Sequence, residues 1–325
     1  MKKLHLPLVP VLGALVALLL TVGAGAAPFT AGNIAVVRLG DGAAPLSAVS
    51  APAYIHEYTP AGVLVQIIPI PATAASALTM AGSSTSEGAL MRSPDGKLLC
   101  FAGYKAVTGT VAIVATTAAA VPREIGTFDA SGTFGIPAST ATQFSSQNIR
   151  SGAADGLNNF WGSGSGSGTY YFGLTAAPAT VQNATANTRV NNIQNGNLHF
   201  STGSGTPGID AFAGTPTAAA LPPLLIGTGA GSSPYAFAIS PSGSVAYIAD
   251  DRAAAAGGVQ RWNFVAGAWT LAYTLGSGVA NIGARGIAVD WSGATPTIYA
   301  TSAESALNRL IKITDAGAEI GRAHV

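Results

Sequence analysis

Charged, amide and aromatic side chains occupy equivalent positions in a repeated sequence unit, and these residues are the ones best suited to chemistry. They are Glu87, Asn148, Arg150, Arg189, Tyr235 and Arg285. An arginine fork matches the oxygens of a carboxylate or sulfate, so three of them together favour an anion site. A carboxylate beside them can act as a general acid or base. The group stands out because only 9% of the residues are charged.

The repeated unit is an apolar strand, a tight turn and a second apolar strand, and it returns about every 40–60 residues. The clearest copies are Gly88–Tyr104, Tyr235–Asp250 and Gly286–Thr301, and weaker copies begin at Asn148 and Thr188. This pattern predicts an all-β fold, a β-propeller with about six visible blades of an expected seven. In a propeller, the residues just before each innermost strand converge on one mouth of the central channel. The six residues above hold that position.

Two blades are predicted to be incomplete. The first shows three strands, and the sixth, which begins at Gly286, stops before a fourth. Since propellers commonly complete the N-terminal blade with a strand from the other end of the chain, we expect the closing strand to be missing. The second blade is predicted to use Ala89–Arg92, Lys97–Tyr104, Thr110–Thr116 and Arg123–Asp129.

The N-terminus has the three zones of a secretory signal. Lys2 and Lys3 precede an apolar run, Leu6–Val22, and small residues follow, Gly23–Ala27. This order predicts a signal peptide over residues 1–26, cleaved after Ala26. The mature protein is therefore expected to be secreted, periplasmic or at the cell surface, with no membrane span after cleavage. The alternative, an uncleaved anchor, is disfavoured because the run is short.

The C-terminal residues Glu319–Val325 resemble the translation of a sequencing-library adapter read in frame. We therefore expect residues 319–325 to be an artefact and residues 27–318 to be a C-terminally truncated propeller. The native chain would continue beyond Ala318.

Composition excludes several classes of function. The net charge is +1 and no basic patch is present, so nucleic acid is not an expected partner. Cys100 is the only cysteine, which excludes disulfides within the chain and predicts a buried, unreactive thiol. Carboxylate, amide and histidine residues do not recur at the mouth positions, and nucleotide and hydrolase motifs are missing. We expect no metal, no cofactor and a monomer.

Short motifs carry a family resemblance. The turn Ser93–Leu99 and its echo Ser240–Gly243 resemble the repeats of TolB, surface-layer and lactonase-like propellers. The segments Gly32–Gly42, His56–Pro60 and Ser86–Gly88 look like a group of uncharacterised exported bacterial propellers, some of which end in a PEP-CTERM-type sorting tail. The resemblance implies the fold and export, and no activity is carried over with it.

Two interpretations of the mouth remain open. The three arginines either bind an anion or pair with local acids and carbonyl groups to hold blade against blade. Asp250 and Asp251 are similarly interpreted as a solvated strand end, with a calcium loop as the alternative. Because catalytic motifs are missing, the leading prediction is a non-catalytic binding or structural module that contacts protein or carbohydrate at the cell surface. The alternative prediction is a hydrolase or lyase at the channel mouth.

Overall fold

The computed structural model describes residues 26–166, 168–173, 179–182, 187–253, 257–279, 281–317 and 321–324. These residues form strands and two single-turn 3₁₀ helices, Ala74–Ser76 and Ile113–Ala115. In chain order the strands are β1 (Ile34–Leu39), β2 (Ser50–Ala51), β3 (Ala53–Tyr58), β4 (Leu64–Pro69), β5 (Met80–Ala81), β6 (Met91–Arg92), β7 (Leu98–Tyr104), β8 (Arg123–Asp129), β9 (Phe134–Thr140), β10 (Ile149–Ala154), β11 (Phe160–Gly164), β12 (Gly168–Tyr171), β13 (Ala179–Gln182), β14 (Thr188–Gln194), β15 (Asn197–Thr202), β16 (Gly208–Ala211), β17 (Leu224–Gly227), β18 (Pro234–Ile239), β19 (Val245–Asp250), β20 (Gly258–Val265), β21 (Ala268–Leu275), β22 (Ala284–Asp290), β23 (Thr297–Ser302), β24 (Leu310–Thr314) and β25 (Gly321–His324).

These strands build six blades, which confirms the predicted all-β propeller. Blade one contains β1, β3 and β4, and the other five are four-stranded sheets in sequence order, from β6–β9 to β22–β25. Neighbouring strands are antiparallel throughout the described blades, and β2 pairs separately with β5. Lys312 of blade six donates to the carbonyl oxygen of Pro60 in blade one at 3.2 Å. The last blade therefore contacts the first.

A side-chain hydrogen bond closes the repeated turn in the same way in two blades. Ser93 Oγ accepts from the Leu98 N–H at 2.9 Å, and Ser240 Oγ accepts from the Val245 N–H at 3.0 Å. Each turn also contains a glycine with positive φ, +74° at Gly96 in the first of them, which L side chains rarely adopt. The Ser-Pro-x-Gly pattern thus dictates how the first two strands of a blade are joined.

The core is divided among the seams between successive blades. In the seam between blades one and two, Ile55 and Ile68 pack with Phe101 and Phe128. Four more clusters follow the chain, and three of them are each shared by two neighbouring blades. The fourth joins blades four and five and also includes Met91 of blade two. Cys100 is buried in the second seam, as predicted. Burial of this apolar area stabilises the packing of each blade against the next one in the chain.

Two strand predictions are wrong. Thr110–Thr116 is not a strand: it contains the 3₁₀ turn, and blade two takes β9 as its fourth strand instead. The physical reason is that Arg123 draws the Val114 and Thr116 carbonyl oxygens to itself, at 3.3 and 2.7 Å. Blade six also has a fourth strand, since β25 pairs with β24. The predicted signal peptide lies outside the described residues, except for its last residue, Ala26. No helix among the described residues is long and apolar enough to cross a membrane.

Candidate active site at the channel mouth

Glu87 is held by three donors on the loop that leads into β6. Oε2 accepts from the Ala81 N–H at 2.9 Å, and Oε1 accepts from Tyr104 Oη at 2.7 Å and Asn148 Nδ2 at 2.5 Å. The side chain is half-buried. Burial raises the pKa of Glu87, while these donors and the charge of Arg150 oppose the rise. The result is a fixed carboxyl that titrates above the usual range of glutamate.

Two guanidinium groups lie against the ring of Tyr235. Cζ of Arg189 is 4.2 Å and Cζ of Arg285 is 5.8 Å from the ring centroid. Arg189 Nη1 also donates to Ser233 Oγ at 2.8 Å, and Arg285 Nε donates to Asp251 Oδ2 at 3.2 Å. This arrangement places two guanidinium groups against one aromatic ring, and the Asp251 carboxylate offsets part of the charge of Arg285.

Arg150 interacts electrostatically both with Glu87 and with the Arg189–Tyr235 pair. Its Nη1 donates to Asn187 Oδ1 at 2.5 Å, and its Nε has no hydrogen-bond partner in the part of the chain that the structure describes. Burial lowers the pKa of Arg150. Tyr235 and Glu87 oppose that change, while Arg189 adds to it. All three groups therefore act on Arg150 electrostatically, which makes it the link between Glu87 and the Tyr235 pair.

The structure brings the predicted residues into two groups of contacts, Glu87 with Asn148 and Tyr235 with Arg189 and Arg285, and Arg150 interacts electrostatically with both groups. Asn148 of blade three reaches Glu87 before blade two, and Arg189 of blade four reaches Ser233 before blade five. Each of the three arginines also has a local acceptor, as the structural interpretation of these residues requires. Glu87, Asn148, Arg150 and Arg285 are half-buried, whereas Arg189 and Tyr235 are buried.

Two residues at the site were not identified from the sequence: Tyr104, the last residue of β7, and Asp251, which follows β19. Antiparallel pairing returns the end of each second strand to the mouth where the first strand starts, so strand ends were the signal to use. The interpretation of Asp250 as a solvated strand end is wrong. Its side chain is 0% exposed, and Arg252 Nε and Nη2 donate to it at 2.9 and 2.7 Å.

The two histidines among the described side chains are not part of these groups of contacts. His56 Nδ1 lies 3.1 Å from Tyr58 Oη. His199 packs against Phe237, and burial lowers its pKa to about 4, so it is neutral at pH 7. Neither histidine is therefore a candidate for a general base at the mouth. Within the described ranges, no three His, Cys, Asp or Glu side chains lie close enough together to hold a metal ion.

Solved structures show the same fold at low sequence identity. A protein of Bacteroides uniformis ATCC 8492, described as a candidate 6-phosphogluconolactonase, is 14% identical with a TM-score of 0.50, covering 90% of this chain and 82% of that one. The periplasmic gluconolactonase PpgL of Pseudomonas aeruginosa is 14% identical with a TM-score of 0.51, covering 90% and 83%. No protein-family model and no curated protein matches the chain.

These comparisons correct the leading functional prediction. A non-catalytic binding or structural module is the wrong interpretation, because both similar structures are named for lactone hydrolysis. Missing motifs misled the prediction, since a propeller site is assembled from single residues on several blades and leaves no contiguous motif. The alternative prediction, an enzyme with its site at the channel mouth, takes its place below.

Proposed function

We propose that this protein is an exported hydrolase of lactones, the cyclic esters of sugar acids, with its active site at the channel mouth. The observation that carries the proposal is one hydrogen-bonded carboxyl, Glu87, that interacts electrostatically with Arg150, which in turn interacts with Tyr235 and Arg189. A lactonase needs a base for water and positive charge for the oxyanion, and this mouth holds both. The lactonase names of the similar structures support the choice of substrate class.

Glu87 is the proposed general base. Oε1 accepts two hydrogen bonds and Oε2 accepts one, so Oε2 retains a lone pair that a water molecule can use. Its raised pKa makes it a stronger base than an exposed glutamate while leaving it ionised once the pH exceeds that pKa. The three donors fix the carboxylate in one orientation, which favours proton transfer along one direction.

The arginines are the proposed oxyanion and anion binders. Water adds to the lactone carbonyl carbon as Glu87 takes its proton, and the carbonyl oxygen becomes negative. Arg150, whose charge acts on Glu87, is the group proposed to stabilise that negative charge. The ring C–O bond then breaks, and the leaving alkoxide takes the proton from Glu87. The product is an open-chain hydroxy acid whose carboxylate, or phosphate where present, matches the guanidinium groups of Arg189 and Arg285.

The location and boundaries of the protein are part of the same proposal. Export follows from the signal pattern in residues 1–26, and the periplasmic location of the Pseudomonas relative in fold agrees with it. We retain as proposals a propeller from residue 27, a non-native segment at 319–325, a monomer, and kinship with exported propellers of the TolB, surface-layer or PEP-CTERM kinds. A small lactone replaces a macromolecule as the expected primary partner, and nucleic acid is not an expected partner.

The test is a pH-stat assay of the purified protein with δ-gluconolactone, its 6-phosphate and a linear ester of similar size. We expect hydrolysis of a lactone above the spontaneous rate and little hydrolysis of the linear ester. A preference for the phosphorylated lactone would indicate that Arg189 and Arg285 bind the phosphate. Hydrolysis of none of these substrates at high enzyme concentration would contradict the proposal.

A further inference from the structure

Arg123, at the start of β8, is 0% exposed and has no carboxylate hydrogen-bonded to it among the described residues. Its guanidinium donates to main-chain carbonyl oxygens, those of Thr116 at 2.7 Å and Val121 at 2.5 Å among them. Taking a cation out of water costs several kcal/mol unless it is well paired. A buried arginine that lacks a carboxylate partner at hydrogen-bond distance therefore needs another explanation.

That explanation lies on the other side of the guanidinium. Cζ of Arg123 is 4.9 Å from the centroid of the Tyr104 ring. The hydroxyl of the same ring donates to Glu87 Oε1 at 2.7 Å. Tyr104 is itself 0% exposed, so a guanidinium, a phenol and a carboxyl are in successive contact from the interior of blade two to the channel mouth.

We propose that Tyr104 and Arg123 are positioning residues for Glu87, with the phenol anchoring Oε1 and the guanidinium polarising the phenol. A cation against the ring makes the hydroxyl a stronger donor, and a stronger donor binds the charged carboxylate better than the neutral acid. The role assigned to Glu87 as a base rests on the proposed function, whereas this series of contacts does not.

The electrostatics of the neighbouring groups agree with this arrangement. Burial and Glu87 raise the pKa of Tyr104, whereas Arg123 lowers it. The groups that face Glu87 are Tyr104, Asn148 and Arg150, and each of them opposes the rise that burial causes in the pKa of Glu87. Tyr104 and Arg123 thus keep Glu87 ionised at pH values at which burial alone would protonate it.

A titration of the Glu87 carboxyl in Tyr104→Phe tests the proposal directly. The chain contains five glutamates, Glu57, Glu87, Glu124, Glu304 and Glu319, so labelling with ¹³Cδ-glutamate gives a small set of resonances, and loss of one in Glu87→Gln assigns it. We expect Tyr104→Phe to raise the pKa of Glu87 and to leave that of Glu124 unchanged. The kcat/KM for a lactone at pH 5 should fall about threefold to tenfold, with less loss at higher pH.

Two further variants separate positioning from a general loss of structure. Arg123→Lys keeps the charge but loses the planar fork, and it should raise the pKa of Glu87 in the same direction. Tyr299→Phe is the matched control, because this phenol lies over Lys312 in blade six. An unchanged Glu87 pKa in Tyr104→Phe, with the Glu124 resonance in place, would overturn the proposal. A raised pKa in a protein without lactonase activity would support the positioning role and contradict only the proposed function.

Discussion

Glu87 and Glu124 lie on the two sides of blade two, and they show how differently one fold can treat the same side chain. Glu87, at the channel mouth, has three hydrogen-bond donors and is half-buried. Glu124, on β8, is 2% exposed and faces the seam with blade one. Its nearest cation is Lys105 Nζ, 3.9 Å from Oε1, and Oε2 has no partner among the described residues.

Burial raises both pKa values, but the surroundings give the two groups different roles. The pKa of Glu124 rises to about 7, because burial is opposed only by the charge of Lys105. Glu87 has donors aimed at both oxygens, and its side chain is partly exposed. A raised pKa alone therefore does not identify a catalytic carboxylate, and what distinguishes Glu87 is its set of donors and neighbouring guanidinium groups.

Asp315 adds a third case, in which hydrogen bonding outweighs burial. Its carboxylate accepts from Tyr247 Oη, from Tyr273 Oη at 2.6 Å and from Arg261 Nη1 at 2.6 Å. Burial alone would raise the pKa of Asp315, but these donors lower it below its usual value. This residue ties blade six to blade five and is charged at neutral pH.

The largest effect is expected from paired substitutions of the two glutamates. Glu87→Gln removes the proposed base and should lower kcat for lactone hydrolysis about 10²-fold to 10⁴-fold. Glu124→Gln makes the same change on the opposite face of the same blade, toward blade one, and should keep wild-type kcat. The measurement is initial rate against lactone concentration at pH 7. Equal losses in both variants would remove the distinction between the two regions.

Asp315→Asn should have the largest effect on stability. It leaves Arg261 half-buried without its carboxylate partner, and we expect a loss of about 3–5 kcal/mol at pH 7, measured by urea unfolding. Since the folded-state pKa is lowered, the contribution of Asp315 is present above the unfolded pKa and is lost as the pH falls through the folded value. The difference between variant and wild type should therefore shrink in acid. A difference that does not depend on pH would contradict the electrostatic explanation.

Glu124→Gln should instead stabilise the protein at alkaline pH. The folded pKa of about 7 is above the usual value of 4.5, so the folded state binds more protons between these values, and stability falls as the pH rises through this window. The wild-type loss is on the order of 3 kcal/mol. We expect the variant to be about 1–3 kcal/mol more stable than wild type at pH 8 and no more stable at pH 4. Greater stability of wild type at pH 8 would contradict this assignment.

The smallest effect is expected from Arg285→Gln. This change removes one of the two cations on the Tyr235 ring and should raise KM for an anionic lactone about tenfold with little change in kcat. Arg92→Gln is the control, because Arg92 is exposed on β6. A fall in kcat at unchanged KM would contradict a role of Arg285 in substrate binding and would indicate that it stabilises the transition state.

The sequence was sufficient to predict the all-β fold and most of the strands of its blades. Alternation of apolar residues around Ser-Pro-x-Gly turns indicated the strand pairs, and the same alignment placed Arg189, Tyr235 and Arg285 at equivalent points. In the structure, the guanidinium groups of Arg189 and Arg285 both lie over the Tyr235 ring. The alignment did not predict which side chains these residues would contact. Tyr104 ends β7 and Asp251 follows β19, and these strand ends reach the mouth only because neighbouring strands pair antiparallel.

The failed predictions have local physical causes. Thr110–Thr116 has the apolar and β-branched composition of a strand, but a distant side chain, Arg123, takes carbonyl oxygens that a sheet would have used. The prediction of a non-catalytic module was wrong for a related reason. Charge-poor composition and missing motifs describe the whole chain, whereas the proposed chemistry depends on six residues from different blades.

The central claim, that Glu87 is the base of a lactonase at the channel mouth, is tested most directly by the pH profile of kcat/KM. The profile should be measured between pH 4 and pH 7.5 in wild type, Glu87→Gln and Glu124→Gln. We expect kcat/KM to rise with pH through an apparent pKa above 4.5 in wild type and in Glu124→Gln, and we expect this rise to be absent in Glu87→Gln. The same rise of kcat/KM with pH in Glu87→Gln, at undiminished activity, would contradict the role of Glu87 as the base.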